Sequence, residues 1–174
     1  FLRRAGATAL ALPLPAPPAR AWAPLTGTRA LSLAHTHTGE RLATTYAVDH
    51  RYLPPALGTL DHFLRDHYNG AVGRIDPRLF DLLHELHARL RSQAPFDVIS
   101  GYRSAHTNER LRERGGGGVA RRSLHMDGQA IDVRLGDVPL ADLRDAAIEL
   151  RAGGVGYYAR ERFVHIDTGR VRSW

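Results

Sequence analysis

Ser123-Leu124-His125-Met126-Asp127-Gly128-Gln129-Ala130-Ile131-Asp132 is the stretch on which the reading of this chain turns. It sets an imidazole and a carboxylate seven residues apart, with a glycine between them. Zinc takes histidine nitrogen and aspartate oxygen as ligands. Along one continuous strand, however, residues separated by an odd number point to opposite faces. His125 and Asp132 therefore reach one metal only if the chain turns between them. Gly128 permits that turn, because glycine tolerates positive φ. The run from Gln129 to Leu135 then reads as a strand. Ala130 and Asp132 share one of its faces, where the small alanine leaves room for an ion beside the carboxylate. Ile131 and Val133 face the other way, into a core. A His–Asp pair alone is more often a loop histidine and a strand-end aspartate on the surface, so a metal site needs a third ligand.

Phe163-Val164-His165-Ile166-Asp167 supplies a candidate. The residues alternate, so Val164 and Ile166 face a core while His165 and Asp167 share the opposite face. His125, Asp132 and His165 would then make a set of two imidazoles and one carboxylate. Three protein ligands with an open fourth position are the layout of a catalytic zinc rather than a structural one. A further element, Ser100-Gly101-Tyr102-Arg103-Ser104, follows the apolar strand candidate Phe96–Ile99 and places Arg103 in a tight turn.

In combination these segments resemble the LAS zinc metallopeptidases, the group of lysostaphin, the D-Ala-D-Ala peptidases and sonic hedgehog. The pattern Ser-x-His-x-x-Gly-x-Ala-x-Asp, with Gly-Tyr-Arg-Ser before it and a strand histidine after it, carries the likeness. The blocks ISGYRSAHTNERLR, SLHMDGQAIDV, RAGGVGYY and FVHIDTGRVRSW are most similar to the MepK (YcbK) murein endopeptidases within that group. The similarity runs from about Arg29 to Trp174. It implies an α+β domain of the LAS/hedgehog type and one Zn2+ per chain. It implies hydrolysis of peptide cross-links in peptidoglycan, between D-alanine or diaminopimelate and diaminopimelate of a neighbouring stem. It also implies that Arg103 stabilises the developing oxyanion.

One position departs from the wider group. Many LAS enzymes carry an acidic residue three before the last histidine, where this chain has Arg162. Asp167, on the face of His165 and about 7 Å along the strand, is the candidate general base. Its rival role is to orient a ligand from behind. Glu161 is the runner-up for the base. No serine is arranged with a separate His and Asp as in a hydrolase triad, which removes a serine mechanism.

At 174 residues the chain is long enough for one domain with a sizeable core. It has no cysteine, which excludes disulfides and thiolate metal sites. Every basic residue other than histidine is arginine. The first residue is Phe1 rather than methionine, and the start reads as incomplete. Arg3-Arg4, an Ala/Leu-rich run to about Leu14 and Ala21-Trp22-Ala23 together read as a signal peptide over 1–23, with one domain over 24–174. Loss of Arg3, Arg4 and Arg20, with no acidic residue, lowers the formal charge from +6 to +3. The basic balance is then weak evidence for nucleic acid, and no nucleic-acid partner is expected. The expected protein is a periplasmic monomer that is not held in the membrane after cleavage.

The remaining segments fill out the domain. Arg29–His35 and Arg41–Ala47 read as strands joined by a turn at Thr36–Glu40, with His35 and His37 as exposed turn histidines. Leu57, Leu60, Phe63, Leu64 and Tyr68 recur at helical spacing after Pro54-Pro55. Asp76-Pro77 starts a helix with an apolar stripe of Leu79, Phe80, Leu83, Leu86 and Leu90. Its His84 and His87 are three apart rather than the four of the zincin motif, and lack an evident third ligand. Glu109–Arg114 reads as a short charged helix, Gly115–Gly118 as a flexible loop, and Arg121-Arg122 as a pair able to help hold an anion. A helix from about Leu140 to Leu150 and a hairpin of Val155–Tyr158 with Phe163–Asp167 complete a small, mostly antiparallel sheet flanked by helices. Two other functions fit the same residues: a zinc-containing module that binds peptidoglycan without cutting it, and a D,D- or L,D-carboxypeptidase on free stem peptides.

Overall fold

The segment Thr28–His35 alternates exposed and buried residues before becoming wholly buried at its end, the pattern of a strand that runs from an edge into a covered sheet. The computed structural model describes residues 26–114 and 119–174. The expected signal peptide over 1–23 and the glycine loop over 115–118 lie outside the described residues. Strand β1 (Thr28–His35) pairs antiparallel with β2 (Arg41–Val48), and the short β3 (Arg51–Tyr52) extends β2. Helix α1 (Pro54–Phe63) follows at once. Its two prolines open the helix rather than break the chain, since the first turn needs no donor from them.

Asp76 caps α2 (Pro77–Leu90) by accepting a hydrogen bond from the Arg78 N–H at 3.0 Å. Leu79, Phe80, Leu83 and Leu86 on its inner side are fully buried. Strand β4 (Phe96–Ser100) leads to α3 (Ala105–Glu113), which starts four residues earlier than its charged run suggests. The Ser104 hydroxyl accepts from the Thr107 N–H and so caps the helix at that point. Strands β5 (Ala130–Leu135), β6 (Gly154–Tyr158), β7 (Phe163–Asp167) and β8 (Arg172–Ser173) complete the chain, with α4 (Leu140–Leu150) between β5 and β6.

The eight strands among the described residues form one sheet in the order β3-β2-β1-β4-β5-β7-β6-β8. It is larger than the sequence suggests, because the β1–β2 hairpin joins it by a parallel pairing of β1 with β4. A second parallel pair, β6 with β8, closes the far edge, and the other pairings are antiparallel. Helices α2 and α4 pack on each other and on the sheet, over a core that includes Leu33, Phe80, Phe96, Ile131, Val164 and Ile166. The architecture is α+β. Among the described residues no helix is long and apolar enough to cross a membrane.

His35 differs from the expectation of an exposed turn residue. It is 2% exposed, because β4 covers it on one side and Phe63 and His67 pack against its ring. His84 and His87 each contact a separate backbone carbonyl, of Ala30 and Ala94. They do not converge on a common point.

Candidate metal centre

The site sits where β5 and β7 pair. Their register sets Asp132 directly opposite His165, so both side chains emerge from the same place on the sheet. His125 arrives from the turn before β5. Four hydrogen bonds fold that turn tightly: Met126 N–H to the Ser123 carbonyl, Asp127 and Gln129 N–H to that of Leu124, and Gly128 N–H to that of His125. Gly128 adopts φ +66°, and a Cβ there would lie 1.9 Å from the Arg74 carbonyl oxygen. The position thus admits glycine for two reasons, its backbone angle and the chain pressed against it.

His125, Asp132 and His165 are all buried, and one ligand atom of each lies within 4.8 Å of the others. His165 Nδ1 is 2.9 Å from Asp132 Oδ1 and 3.2 Å from His125 Nε2. His125 Nε2 is 3.3 Å from the same Asp132 oxygen. Donors held at 2.0–2.2 Å around a tetrahedral ion are about 3.3–3.6 Å apart, close to the spacing found here, so the cluster suits zinc.

The outer contacts decide which nitrogens face the cluster. His125 Nδ1–H donates to the Gly101 carbonyl at 2.8 Å, which frees Nε2. His165 Nε2–H donates to Asp167 Oδ2 at 3.2 Å, which frees Nδ1. Each imidazole, when neutral, is therefore held in the tautomer that turns an acceptor nitrogen inward. The donor set fits a zinc ion on chemistry as well as spacing.

Electrostatics tie the cluster together. Burial alone would raise the Asp132 carboxyl, but the neighbouring His125 and His165 hold it well below the usual carboxylate range. Burial alone would lower the His165 imidazole, yet hydrogen bonds to Asp132 and Asp167 outweigh it and raise the group to about 8. Asp132 is thus an anion ready to ligate, while metal-free His165 gives up a proton when a cation enters.

Arg103 stands beside the cluster. Its guanidinium is 3.7 Å from Asp132 Oδ2 and 3.4 Å from Ser100 Oγ. Its backbone N–H donates to the His125 carbonyl at 3.1 Å. The loop that carries it is braced by Asp66, a buried residue the sequence reading passed over. Asp66 accepts from both the N–H and the hydroxyl of Ser104, at 3.0 and 2.7 Å. Beside it, the Tyr102 N–H donates to the Leu64 carbonyl at 2.7 Å.

Asp167 lies behind His165, away from solvent. Its side chain is 0% exposed. It accepts from Gly154 N–H (2.8 Å), Gly169 N–H (2.9 Å) and Arg172 (2.7 Å), besides His165. These bonds hold its carboxyl well below the ordinary range against the opposing pull of burial. A Cβ on Gly154 would come within 2.4 Å of Asp167 Oδ2, so the start of β6 admits only glycine beside that carboxylate. Arg172 had no role in the sequence reading. Its signal was present only as part of the block FVHIDTGRVRSW.

A cavity of about 360 Å³ opens on the cluster. Its walls include Arg103, Arg122, Tyr158, Glu161, Phe163, Arg172 and Trp174 with the three ligand residues. Glu161, on the turn between β6 and β7, is the lining carboxylate other than Asp132.

Comparison with known proteins fits this geometry. The family described as "Peptidoglycan L,D-endopeptidase MepK" has a model that matches residues 23–174. This chain belongs to the MepK family. It is 43% identical to the peptidoglycan L,D-endopeptidase MepK of Escherichia coli (strain K12) over 169 residues, 97% of this chain and 92% of that protein. It is 42% identical to the probable peptidoglycan L,D-endopeptidase MepK of Haemophilus influenzae over 147 residues, 84% of this chain and 78% of that one. The MepK match spans the whole described sheet and every residue of the candidate metal centre.

Proposed function

We propose that this protein is an exported zinc-dependent endopeptidase that hydrolyses peptide cross-links in peptidoglycan. The observation that carries the reading is the buried His125–Asp132–His165 cluster, opening on a cavity lined by Arg103, in a chain of the MepK family. A zinc held there supplies Lewis acidity and a water acidified towards neutral pH. The chain's own groups do the rest. Gly101 and Asp167 keep the two imidazoles in the ligating tautomer. Arg103 presents a guanidinium, fixed through Asp132 and Ser100, where negative charge develops on the scissile carbonyl oxygen.

Asp167 takes the orienting role in this proposal instead of the expected base. Its oxygens face His165, Arg172 and two backbone N–H groups, with no side facing the cavity. Glu161 is the cavity carboxylate left to examine as proton acceptor, and turnover of Glu161→Gln at full zinc occupancy reads it.

The test is incubation with purified sacculi, with and without a chelator, followed by chromatography of the released muropeptides. Cross-linked dimers should resolve to monomers, the chelator should stop the reaction, and added zinc should restore it. Arg103→Ala should keep its zinc and lose about a hundred-fold in turnover, the usual cost of removing a donor to the transition state. A zinc-loaded protein that leaves sacculi intact would end the endopeptidase reading. Trimming of free stems without loss of cross-links would replace it with a carboxypeptidase.

Export is part of the same proposal, because the substrate lies outside the cytoplasm. The protein recovered from the envelope fraction should begin near Pro24 on N-terminal sequencing. An intact Ala/Pro-rich segment on protein found in the cytoplasm would remove it from its substrate.

A further inference from the structure

Asp66 is 1% exposed, and its hydrogen-bond donors are all neutral groups. Oδ1 accepts from the Tyr68 N–H at 3.0 Å. Oδ2 accepts from the N–H and the hydroxyl of Ser104. Burial alone would raise this carboxyl, but the hydroxyl and N–H donors around it hold it below the ordinary range. A buried charge is costly unless its lone pairs are used, and here two of the three bonds go to one residue. That residue, Ser104, caps α3 at the end where a helix favours a negative group, and it follows Arg103 directly.

The turn from Gly101 to Ser104 has two separate anchors on the chain that follows α1. The first is the Leu64 carbonyl, which accepts from the Tyr102 N–H, and a Cβ on Gly101 would lie 2.6 Å from the same oxygen. This anchor serves the Gly101 carbonyl that receives the His125 ring. Asp66 is the second, at the other end of the turn. The loop behind it is itself closed. Asp66 N–H donates to the Ala71 carbonyl at 2.9 Å, Gly70 N–H to the Asp66 carbonyl at 2.7 Å, and the Asn69 amide to Ser104 Oγ at 2.9 Å. Arg103 lies between the anchors. Its guanidinium contacts, 3.7 Å to Asp132 and 3.4 Å to Ser100, are long for hydrogen bonds, so they do not by themselves set where the side chain starts.

We propose that Asp66 is a positioning residue, which through Ser104 sets the backbone from which Arg103 reaches the candidate metal centre. The proposal rests on the endopeptidase reading for the role of Arg103. Loosening the Ser104 end swings Arg103 away from the carbonyl oxygen it serves, whereas the Leu64 anchor keeps Gly101 and His125 in place. A misplacement on the order of 1 Å is enough to cost up to about a hundred-fold in rate.

Asp66→Asn keeps the shape of the side chain and removes the charge and one acceptor oxygen. On a purified cross-linked muropeptide dimer it should lower kcat about ten-fold, with KM within about two-fold and zinc content unchanged. In the Arg103→Ala background the same substitution should cost less than about two-fold, because the residue it acts through is gone. Losses that multiply, or a change in zinc content or KM with kcat unchanged, would overturn the proposal. A second readout needs no turnover. In protein carrying ¹⁵N-labelled arginine, the Arg103 Nε–H signal is identified by its absence from Arg103→Lys. It should move in Asp66→Asn, while the signal of Arg29, held by Asp81, stays in place. If Asp66→Asn does not fold, Ser104→Ala removes the hydroxyl partner instead, and both measurements carry the same expectations. An Arg103 signal that does not move overturns the positioning role whether or not the protein cleaves. The two readings therefore fail separately. A moved signal in a protein whose parent leaves sacculi intact keeps the positioning and removes the endopeptidase, whereas cleavage with an unmoved signal does the reverse.

Discussion

His125→Ala, Asp132→Ala and His165→Ala are each expected to leave a protein without zinc and without measurable release of muropeptides. The reason lies in the number of donors. Three side chains meet in the cluster, with atoms 2.9–3.3 Å apart. Removing one leaves two, too few to compete with water and buffer for the ion. Metal analysis by mass spectrometry, with about one zinc per chain in the parent, is the measurement. His84→Ala and His87→Ala serve as controls that should retain their zinc, since those rings contact separate carbonyls and share no ligand position. Full occupancy in the His125→Ala protein would overturn the site. The parent's affinity should also fall as pH drops through about 8, because His165 must lose a proton before it can ligate.

How much of this was legible beforehand follows from which interactions are local. The alternation in Phe163–Asp167 and the glycine in the His125–Asp132 turn are short-range patterns, and the structure sets both where the periodicity puts them. The antiparallel pairing of β6 with β7 is likewise written in a short hairpin. The parallel pairing of β1 with β4 joins residues more than sixty positions apart, and no local pattern announces it. The buried His35 is a consequence of that pairing, so a turn-like sequence around it misled the reading. The start of α3 was missed because the charged run dominates its composition, while the cap that begins it is a single serine held by Asp66.

The same distinction explains the site. The candidate ligands are recognisable because their spacing is tied to a turn and a strand. The groups behind them are recognised only once the fold closes: Gly101 offers a backbone carbonyl, which leaves no trace in residue type. Arg172 matters because β8 lies beside β6, a pairing of only two residues. Asp167 was visible on the right face, but its exposure was not. A residue that alternates with buried positions on a central strand can be covered from both sides, and here it is.

Asp167→Asn is therefore expected to act on metal and stability before it acts on proton transfer. The amide can still accept one hydrogen bond from His165 but carries no charge, so it no longer strengthens that imidazole as a ligand or balances Arg172. Zinc affinity should fall by roughly ten- to hundred-fold, in the range found for removal of such an orienting partner. Stability should also fall at neutral pH, by less than the roughly 3–5 kcal/mol of a fully buried pair, because Arg172 is a third exposed and water screens its charge. The sign with pH follows from the carboxyl being held below its ordinary range in the folded protein. Its contribution is complete above the unfolded carboxylate pKa of about 3.9 and is lost as pH falls through the lower folded value, so parent and variant should converge in strong acid. Turnover measured at saturating zinc separates the two roles. An orienting residue leaves it within a few-fold of the parent, whereas a general base costs on the order of a hundred-fold or more whatever the zinc concentration. Normal zinc affinity together with a collapse in turnover would restore Asp167 as the base and remove the arrangement argued here.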